Sequence, residues 1–410
     1  MRTPPLTAIR RLAVARFISL AGSMAAYTAL VDLVYGKTHH SSIWLAATLL
    51  VTIGAVGLLE PIGGLIADRW DRKSALIWSD LIGAALFVVL AIVGAPWQLL
   101  LVALLTALAE TPFRAGSVAA IPNLVQDDAL IAKANGWVGV GSNLGITVGP
   151  ALGGLLVGWV GAGPVFLLNA ISFVVSAGLV WSIRAQFDGV ADEQDDAGSG
   201  GFVAGFRFIH RDRVLLVVTG AWMVLVLGMG LGIVSDRPVA EHFAVGAVGF
   251  GLMIGIWGLG SVIGSWLASR MTAEAEPVVL VTGFLFAGLG GLGIWLAPAF
   301  SLVLACNFLW GFGDALAVVA EQGIIQRRTP DAIRSRVVAA NESAVHGALM
   351  VGFLLAGPML VALGAQGTYA VGGIAALGAG ALAVTIMGRA RPVAGEPPAT
   401  HEERPVAPWD

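Results

Sequence analysis

The chain has 410 residues, of which 57% are hydrophobic and only 12% are charged. Soluble domains carry about 25% charged residues, so the charges here are too few to cover the surface of a soluble protein of this length. The composition therefore excludes a soluble enzyme, a disordered chain and a nucleic-acid-binding protein. It indicates an all-α membrane protein with many spans. The single cysteine, Cys306, excludes a disulfide within the chain and a cysteine-rich metal site.

A helix that crosses a membrane needs about 20 mostly apolar residues, and twelve such runs follow one another along the chain. The basic N-terminus leads into a run that is too long for a signal peptide and lacks a cleavage-site pattern, so we expect the first span to be retained. The predicted spans are residues 12–35, 43–66, 75–94, 98–121, 136–160, 164–184, 214–236, 247–269, 278–297, 300–323, 338–362 and 367–388.

The positions of the basic residues predict how the chain is oriented in the membrane. With the N-terminus inside, 19 of the 23 Lys and Arg residues fall in segments on the inner side. Lys37 and Arg237 lie in outer loops, and Arg16 and Arg114 lie within spans. Because cytoplasmic loops are enriched in Lys and Arg, we expect a multi-pass protein of the cell (inner or plasma) membrane with both termini in the cytoplasm.

A polar segment divides the chain into two sets of six spans. We expect an N-terminal bundle over residues 1–184 and a C-terminal bundle over residues 214–388. The linker, residues 185–213, begins with an acidic, glycine-rich stretch that is typical of flexible segments. It ends with the pattern of an amphipathic helix on the membrane surface, with Phe202, Phe206 and Ile209 on one face. Residues 389–410 are rich in proline and are predicted to be a disordered cytoplasmic tail.

Short sequence matches indicate that the two halves are repeats. Their offsets are similar, and the matches keep the same order in both halves. A pseudo-symmetric pair of bundles is the common plan of secondary transporters, whereas the absence of a GxxxxGK[ST] sequence excludes ATP binding by a P-loop. The matches are Ile62-Gly63 with Ile263-Gly264 at an offset of 201, Ala109-Glu110 with Ala320-Glu321 at 211, and Gly149-Pro150 with Gly357-Pro358 at 208.

Between the second and third spans the chain reads GLIADRWDRKSAL, residues 64–76. This segment closely resembles the signature of the major facilitator superfamily, which implies twelve transmembrane helices in two pseudo-symmetric six-helix bundles. Asp71 stands where the superfamily pattern has a glycine, so the turn geometry is not carried over. The cluster also determines topology, but its carboxylate beside three cations can form charge pairs that close the inner face. The predicted cytoplasmic gate comprises Asp68, Arg69, Arg72 and Lys73, joined by the carboxylates Glu60, Glu321 and Glu342.

The fifth span carries a series of glycines spaced by four residues and a proline. Such glycines share one helix face and let a neighbouring backbone approach closely, and the proline permits a bend. The series resembles the glycine-proline signature of the antiporter branches of the same superfamily, although tight packing alone also explains it. Its members are Gly141, Gly145, Gly149, Pro150, Gly153 and Gly154.

Further segments are similar to the enterobactin-exporter and macrolide-efflux branch of the superfamily. They include Ala134-Asn135-Gly136, residues 166–173 and Arg334-Ser335-Arg336-Val337, and the resemblance covers about residues 10–388. It implies export of siderophores, antibiotics or other small amphipathic molecules, usually by proton antiport. Gly22-Ser23 stands where that branch often has Gly-Asp, so a coupling role of that aspartate does not transfer.

Ionisable side chains within membrane spans are costly and are candidates for function. Glu110 and Arg114 are four residues apart on one helix face and can pair when the site is empty. The full set is Arg16, Asp32, Glu60, Asp80, Glu110, Arg114, Asp236, Asp314, Glu321, Glu342 and His346. We expect proton coupling or substrate contact from Glu110, Arg114, Asp314, Asp32 and His346. Glu60, Glu321 and Glu342 are alternatively interpreted as ion-pair partners at the inner gate. Asp32 and Asp236 are alternatively interpreted as parts of an outer gate. Asp80 is assigned to the loop network.

Together these patterns predict a monomeric, proton-coupled exporter of small amphipathic organic molecules, drug-like or siderophore-like, that works by rocker-switch alternating access. Its partners would be the substrate, protons and the lipid bilayer, with no metal, cofactor or nucleic acid. A symporter or lipid flippase of the same fold is the alternative, and a membrane receptor or scaffold is a third hypothesis. An enzyme is disfavoured because no zinc cluster, nucleophile elbow or phosphate loop occurs.

Overall fold

The structure, a computed structural model, describes residues 3–54, 71–125, 128–185, 187, 199–330 and 333–385. These residues are almost entirely helical, and none of them lies in a β-strand. The main helices are α1 Pro5–Lys37, α2 Ser42–Leu49 with a π-helical continuation Leu50–Gly54, α3 Arg72–Ile92, α4 Pro96–Ala119, α5 Asp128–Val160, α6 Ala162–Trp181, α7 Arg213–His242, α8 Gly246–Ala268, α9 Glu276–Leu296, α10 Phe300–Arg328 and the long helix Arg334–Val384. Short helices cover Ile121–Val125, Ser199–Arg211 and Ala273–Ala275.

Ten of the described helices are long and apolar enough to cross a membrane. One of them, Arg334–Val384, has 51 residues and is interrupted at Gly364, whose φ of 73° is not helical. We call the parts before and after Gly364 α11 and α12. The second predicted span, 43–66, is described only as far as Gly54. The all-helical membrane fold is therefore confirmed, and the count of twelve helices stays a prediction.

Asp71 explains how α3 begins. Its carboxylate accepts a hydrogen bond from the backbone N–H of Ser74 at 2.8 Å, which is the geometry of a helix N-cap. The position where the superfamily pattern has glycine thus carries a residue that stabilises the start of the next helix. Of the neighbouring gate candidates, Glu60, Asp68 and Arg69 lie outside the described residues.

Buried apolar side chains pack the helices into clusters that largely follow the order of the chain. Two clusters draw their buried members from α1 and α3–α6 and the segments beside them. The largest cluster joins α7–α12 and also includes Val31, Tyr35 and Leu45 of α1 and α2. One end of α1 and α2 therefore packs against the C-terminal helices. The division into bundles at 1–184 and 214–388 stays a prediction.

The helix Ser199–Arg211 lies against the long helix that follows α10. Gly205 faces the backbone of Arg336, and Ile209 is buried with Leu215, Ile325 and Val337. Phe206 on the same helix remains 38% exposed. The amphipathic pattern thus packs partly against protein, and its position along a membrane surface stays a prediction.

Candidate functional site

Three adjoining chambers form a central cavity, in which the polar chamber is lined by the N-terminal helices alone and the aromatic chamber by both sets of helices. The polar chamber, about 280 Å³, is lined by Arg16, Ser19, Ser23, Glu110, Arg114 and Ser142 together with apolar side chains. The middle chamber, about 360 Å³, shares Ser23, Glu110 and Arg114 with it and also contacts His346. The aromatic chamber, about 210 Å³, is lined by Tyr27, Asp236, Trp257, Asn307, Trp310 and Tyr369 among apolar residues. Ile146 of α5 contacts all three chambers.

Glu110 and Arg114 face the polar and middle chambers from α4. An oxygen of Glu110 lies 3.8 Å from a guanidinium nitrogen of Arg114, and the side chains are 16% and 31% exposed. Ser23 of α1 donates a hydrogen bond to the other Glu110 oxygen at 3.2 Å. The carboxylate thus has a cation on its own helix and a hydroxyl donor on a neighbouring helix. All three side chains line the cavity.

Arg16 links three helices at the polar chamber. From α1, its guanidinium donates to Ser142 of α5 at 2.5 Å and to the Arg114 carbonyl of α4 at 3.2 Å. It also donates to the hydroxyl of Ser117. These bonds satisfy a cation within a span and hold the backbone that carries Arg114.

Asp236 lines the aromatic chamber from α7, and its residue is only 7% exposed. Tyr369 of α12 donates its hydroxyl hydrogen to one carboxylate oxygen of Asp236. The Tyr369 ring meets Trp310 edge to face, with centroids 5.6 Å apart. Tyr27 and Trp257 also line this chamber, whereas Trp222 of α7 is buried beside Phe284.

An ion pair joins the two halves at the end of the molecule opposite the basic segments. Arg237 Nε of α7 lies 2.7 Å from Asp32 Oδ1 of α1, and both side chains are largely buried. Glu241, one turn along α7, lies 3.0 Å from His40 Nδ1 after α1. Ser42 also donates to the Gly357 carbonyl at 3.2 Å. Between described residues, all hydrogen bonds and ion pairs that join residues 3–185 to residues 199–385 lie at this end. Asp32, expected as a coupling or cavity residue, is thus placed in an inter-half ion pair.

The glycine series of α5 faces two different helices. A Cβ on Gly141 would lie 2.7 Å from the carbonyl oxygen of Ala13, and one on Gly149 or Gly153 would lie 2.6 Å from a carbonyl oxygen of α1. Gly145 contacts α1 as well. Gly154 instead faces α8, where an added Cβ would lie 2.5 Å from the Ala247 carbonyl oxygen, and Pro150 approaches Gly251 of the same helix. The series therefore packs α5 within its own half and against the other half.

The remaining carboxylates predicted within spans lie in different surroundings. Asp314 of α10 is 7% exposed and belongs to none of the three chamber linings described above. Glu321, expected at the gate, is 2% exposed and accepts a hydrogen bond from Asn341 at 2.6 Å. Asn341 accepts in turn from Thr219 of α7 at 2.8 Å, so Glu321 belongs to a polar network inside the C-terminal helices.

Glu342 and His346 lie one turn apart on α11. The Glu342 carboxylate is 50% exposed and lies 3.9 Å from His346 Nδ1, which is 2.8 Å from the Glu342 carbonyl oxygen. His346 reaches the middle chamber. Asp80, assigned to the loop network from the sequence, is instead 1% exposed within α3, and neither carboxylate oxygen has a hydrogen-bond partner among the described residues.

The described gate candidates Arg72 and Lys73 bind backbone carbonyls at the ends of neighbouring helices. Lys73 donates to Trp181 and Ile183 at 2.9 and 2.7 Å, and Arg72 donates to Ala119 at 3.1 Å. Because the last carbonyls of a helix lack partners within it, cations are favourable there. These two residues therefore secure the ends of α4 and α6.

Comparison with known proteins identifies the family. The sequence profile described as Major Facilitator Superfamily matches residues 12–274 and 231–410. Among relatives, "Putative bacilysin exporter BacE" of Bacillus subtilis is 23% identical over 357 residues, which are 83% of this chain and 87% of that protein. "Multidrug efflux pump Tap" of Mycobacterium tuberculosis is 26% identical over 375 residues, 85% of each chain.

Solved structures show the same fold. The nucleoside transporter NupG aligns with a TM-score of 0.71 at 14% identity, covering 93% of this chain and 99% of that one. The peptide transporter POT aligns with a TM-score of 0.74 at 15% identity, covering 93% and 95%. The resemblance first seen in residues 64–76 is thereby confirmed. The chain belongs to the Major Facilitator Superfamily and is a membrane transporter rather than an enzyme.

Proposed function

We propose that this protein exports small amphipathic organic molecules in exchange for protons, by rocking its two bundles around the central cavity. The observation that carries the proposal is the Glu110–Arg114 pair, which lies at 3.8 Å on the wall of a cavity large enough for a small molecule. The direction of transport rests on the relatives, whose names describe an exporter and an efflux pump.

Glu110 is our candidate for the group that carries the proton. As a carboxylate it attracts Arg114, and as a neutral acid it no longer does, so protonation frees the guanidinium for another partner in the cavity. Substrate entry and proton release are then linked through the same two side chains. Asp314 and Asp32 are weaker candidates because neither lines the chambers described above, and His346 is the candidate for a second proton site in the middle chamber.

The contacts between the halves support alternating access. We place the end that carries the Asp32–Arg237 pair on the outside, with both termini and the gate residues in the cytoplasm, so that the contacts between described residues close the outer end. Opening outward requires this ion pair to break and the α5–α8 contact at Gly154 to separate. The two bundles at 1–184 and 214–388 would move as rigid units in a monomer, joined by the linker, and residues 389–410, which lie outside the described part of the chain, would be in the cytoplasm.

The experiment begins with growth of a strain lacking its own efflux pumps, expressing the protein, on a panel of antibiotics and amphipathic dyes. A compound to which the protein confers resistance is then tested in proteoliposomes with an imposed pH gradient. We expect the gradient to drive transport by the parent, and Glu110→Gln to lose gradient-driven accumulation while retaining exchange of labelled for unlabelled compound. Glu274→Gln, which removes an exposed carboxylate, is the matched control.

Two results would count against the proposal. Full gradient-driven accumulation by Glu110→Gln would remove this residue from proton coupling. Movement of the compound in the same direction as the proton would instead favour the symporter of the same fold.

A further inference from the structure

The aromatic chamber contains a carboxylate without a cationic partner. Among the described residues, no basic side chain lies within 4 Å of Asp236, and the one hydrogen bond to its carboxylate comes from the Tyr369 hydroxyl to Oδ1. The next residue, Arg237, turns away to Asp32. A charged carboxylate in an apolar surrounding is costly unless a counter-charge accompanies it. When Asp236 is ionised, the chamber therefore lacks one positive charge, which a ligand can supply.

The walls of the chamber suit an organic cation rather than a hydrated metal ion. Tyr27, Trp257, Trp310 and Tyr369 present aromatic rings from four helices, and the faces of such rings attract cations. The other side chains are mostly aliphatic, such as Met229, Ile233 and Ile254. The amide nitrogen of Asn307 donates to the Met253 carbonyl at 2.9 Å, which leaves the amide oxygen as one of the few polar atoms that face the chamber besides Asp236. Few polar groups are left to replace the water shell of a small ion.

We propose that the aromatic chamber binds the ammonium group of an organic cation, with Asp236 as its counter-charge and the four rings around it. This rests on the proposed function, because it makes the exported molecule an amphipathic amine or quaternary ammonium compound. The apolar part of such a ligand extends into the middle chamber, which shares Met24, Tyr27 and Ile53 with the aromatic chamber.

Equilibrium binding to the purified full-length protein tests the assignment without any transport. The probes are phenyltrimethylammonium and its neutral analogue 2-phenyl-2-propanol, which have similar shapes and differ in charge. Saturation-transfer NMR titrations give a Kd for each. We expect the parent to bind the cation at least about tenfold more tightly than the alcohol. A charge pair shielded from water and cation–π contacts together raise the affinity by at least that factor.

Variants locate the site within the chamber. Asp236→Asn should weaken phenyltrimethylammonium binding at least about tenfold and leave the alcohol within about twofold. Trp257→Leu, which keeps the carboxylate, should weaken the cation by roughly fivefold and provides a second test if Asp236→Asn fails to fold. Glu321→Gln, which removes another buried carboxylate of the same bundle outside the chamber linings, should change neither Kd.

Equal affinity of the parent for the two probes, or unchanged cation binding in Asp236→Asn and Trp257→Leu, would overturn the assignment. The outcome is separable from the proposed function. If the protein exports its substrate in response to the pH gradient but does not prefer the cation, the assignment of the ligand class is wrong and the proposed function stands. If the cation binds at Asp236 but Glu110→Gln shows normal gradient-driven transport, the proton role of Glu110 is wrong and the assignment of the ligand class stands.

Discussion

The ion pair between Asp32 and Arg237 gives a quantitative test of how the bundles separate. The atoms lie 2.7 Å apart, and the side chains are 22% and 13% exposed. A hydrogen bond between charged groups contributes about 1.5–3 kcal/mol, and one to a neutral acceptor about half as much. We expect Asp32→Asn to weaken the closed arrangement by about 1 kcal/mol and Asp32→Ala by about 2 kcal/mol. These values correspond to shifts of about fivefold and about thirtyfold toward opening.

The assay measures the accessibility of a single introduced cysteine, because the one native cysteine is easily removed. In a Cys306→Ser background, Ile53→Cys places a thiol on the wall of the cavity. The rate of its reaction with a membrane-impermeant maleimide, added outside right-side-out vesicles, reports the fraction open at the outer end. That rate should rise in the order parent, Asp32→Asn, Asp32→Ala. The control Lys37→Gln, at an exposed position at the end of α1, should react at the rate of the parent. Equal rates in all four proteins would refute the reasoning.

Three further predictions concern stability, measured as the melting temperature of the purified protein by tryptophan fluorescence. Gly153→Ala should lower the free energy of unfolding by about 1–3 kcal/mol, because the new Cβ would lie 2.6 Å from the Ala25 backbone. Gly139→Ala on the same helix meets no atom within 4 Å and should be neutral or stabilising. Asn341→Ala should cost about 2–3 kcal/mol because it leaves Glu321 and Thr219 without their partner, and exposed Ser343→Ala should not. Asp71→Ala should cost about 1 kcal/mol and Asp71→Gly only a few tenths, the order expected for an N-cap, and equal losses would count against that role.

Most helix positions follow from apolar runs alone. The ninth predicted span, 278–297, corresponds to α9 Glu276–Leu296, and the break at Gly364 falls between the last two predicted spans. Helix ends were less accessible to prediction. The tenth predicted span ends at residue 323, but α10 continues to Arg328, because Arg327 and Arg328 pair with Glu276 and Asp212. Hydropathy does not register a helix end that polar partners stabilise.

Side-chain contacts within one helix can be predicted from the sequence, whereas contacts between helices cannot. Glu110 and Arg114 are four residues apart, so the helical period alone places them together. Asp32 and Arg237 are 205 residues apart, and only the packing of α1 on α7 brings them into contact. The same limit applies to Asp236 and Asp314, which both lie within predicted spans. Only the orientation of α7 and α10 shows that Asp236 lines the chambers described above and that Asp314 does not.

The two sites within the cavity should respond differently to rocking of the bundles. Side chains from α1, α4, α5 and α6 line the polar chamber with Glu110, so a motion of one half against the other preserves its geometry. The aromatic chamber takes Tyr27 from α1, Ile146 from α5, Asp236 from α7 and Trp257 from α8, so the same motion takes it apart. A ligand shifts a conformational equilibrium only by its difference in affinity for the two states. We therefore expect the organic ligand to distinguish the two states through its own contacts. In the proposed mechanism, a proton at Glu110 would instead act through the partner that Arg114 then takes.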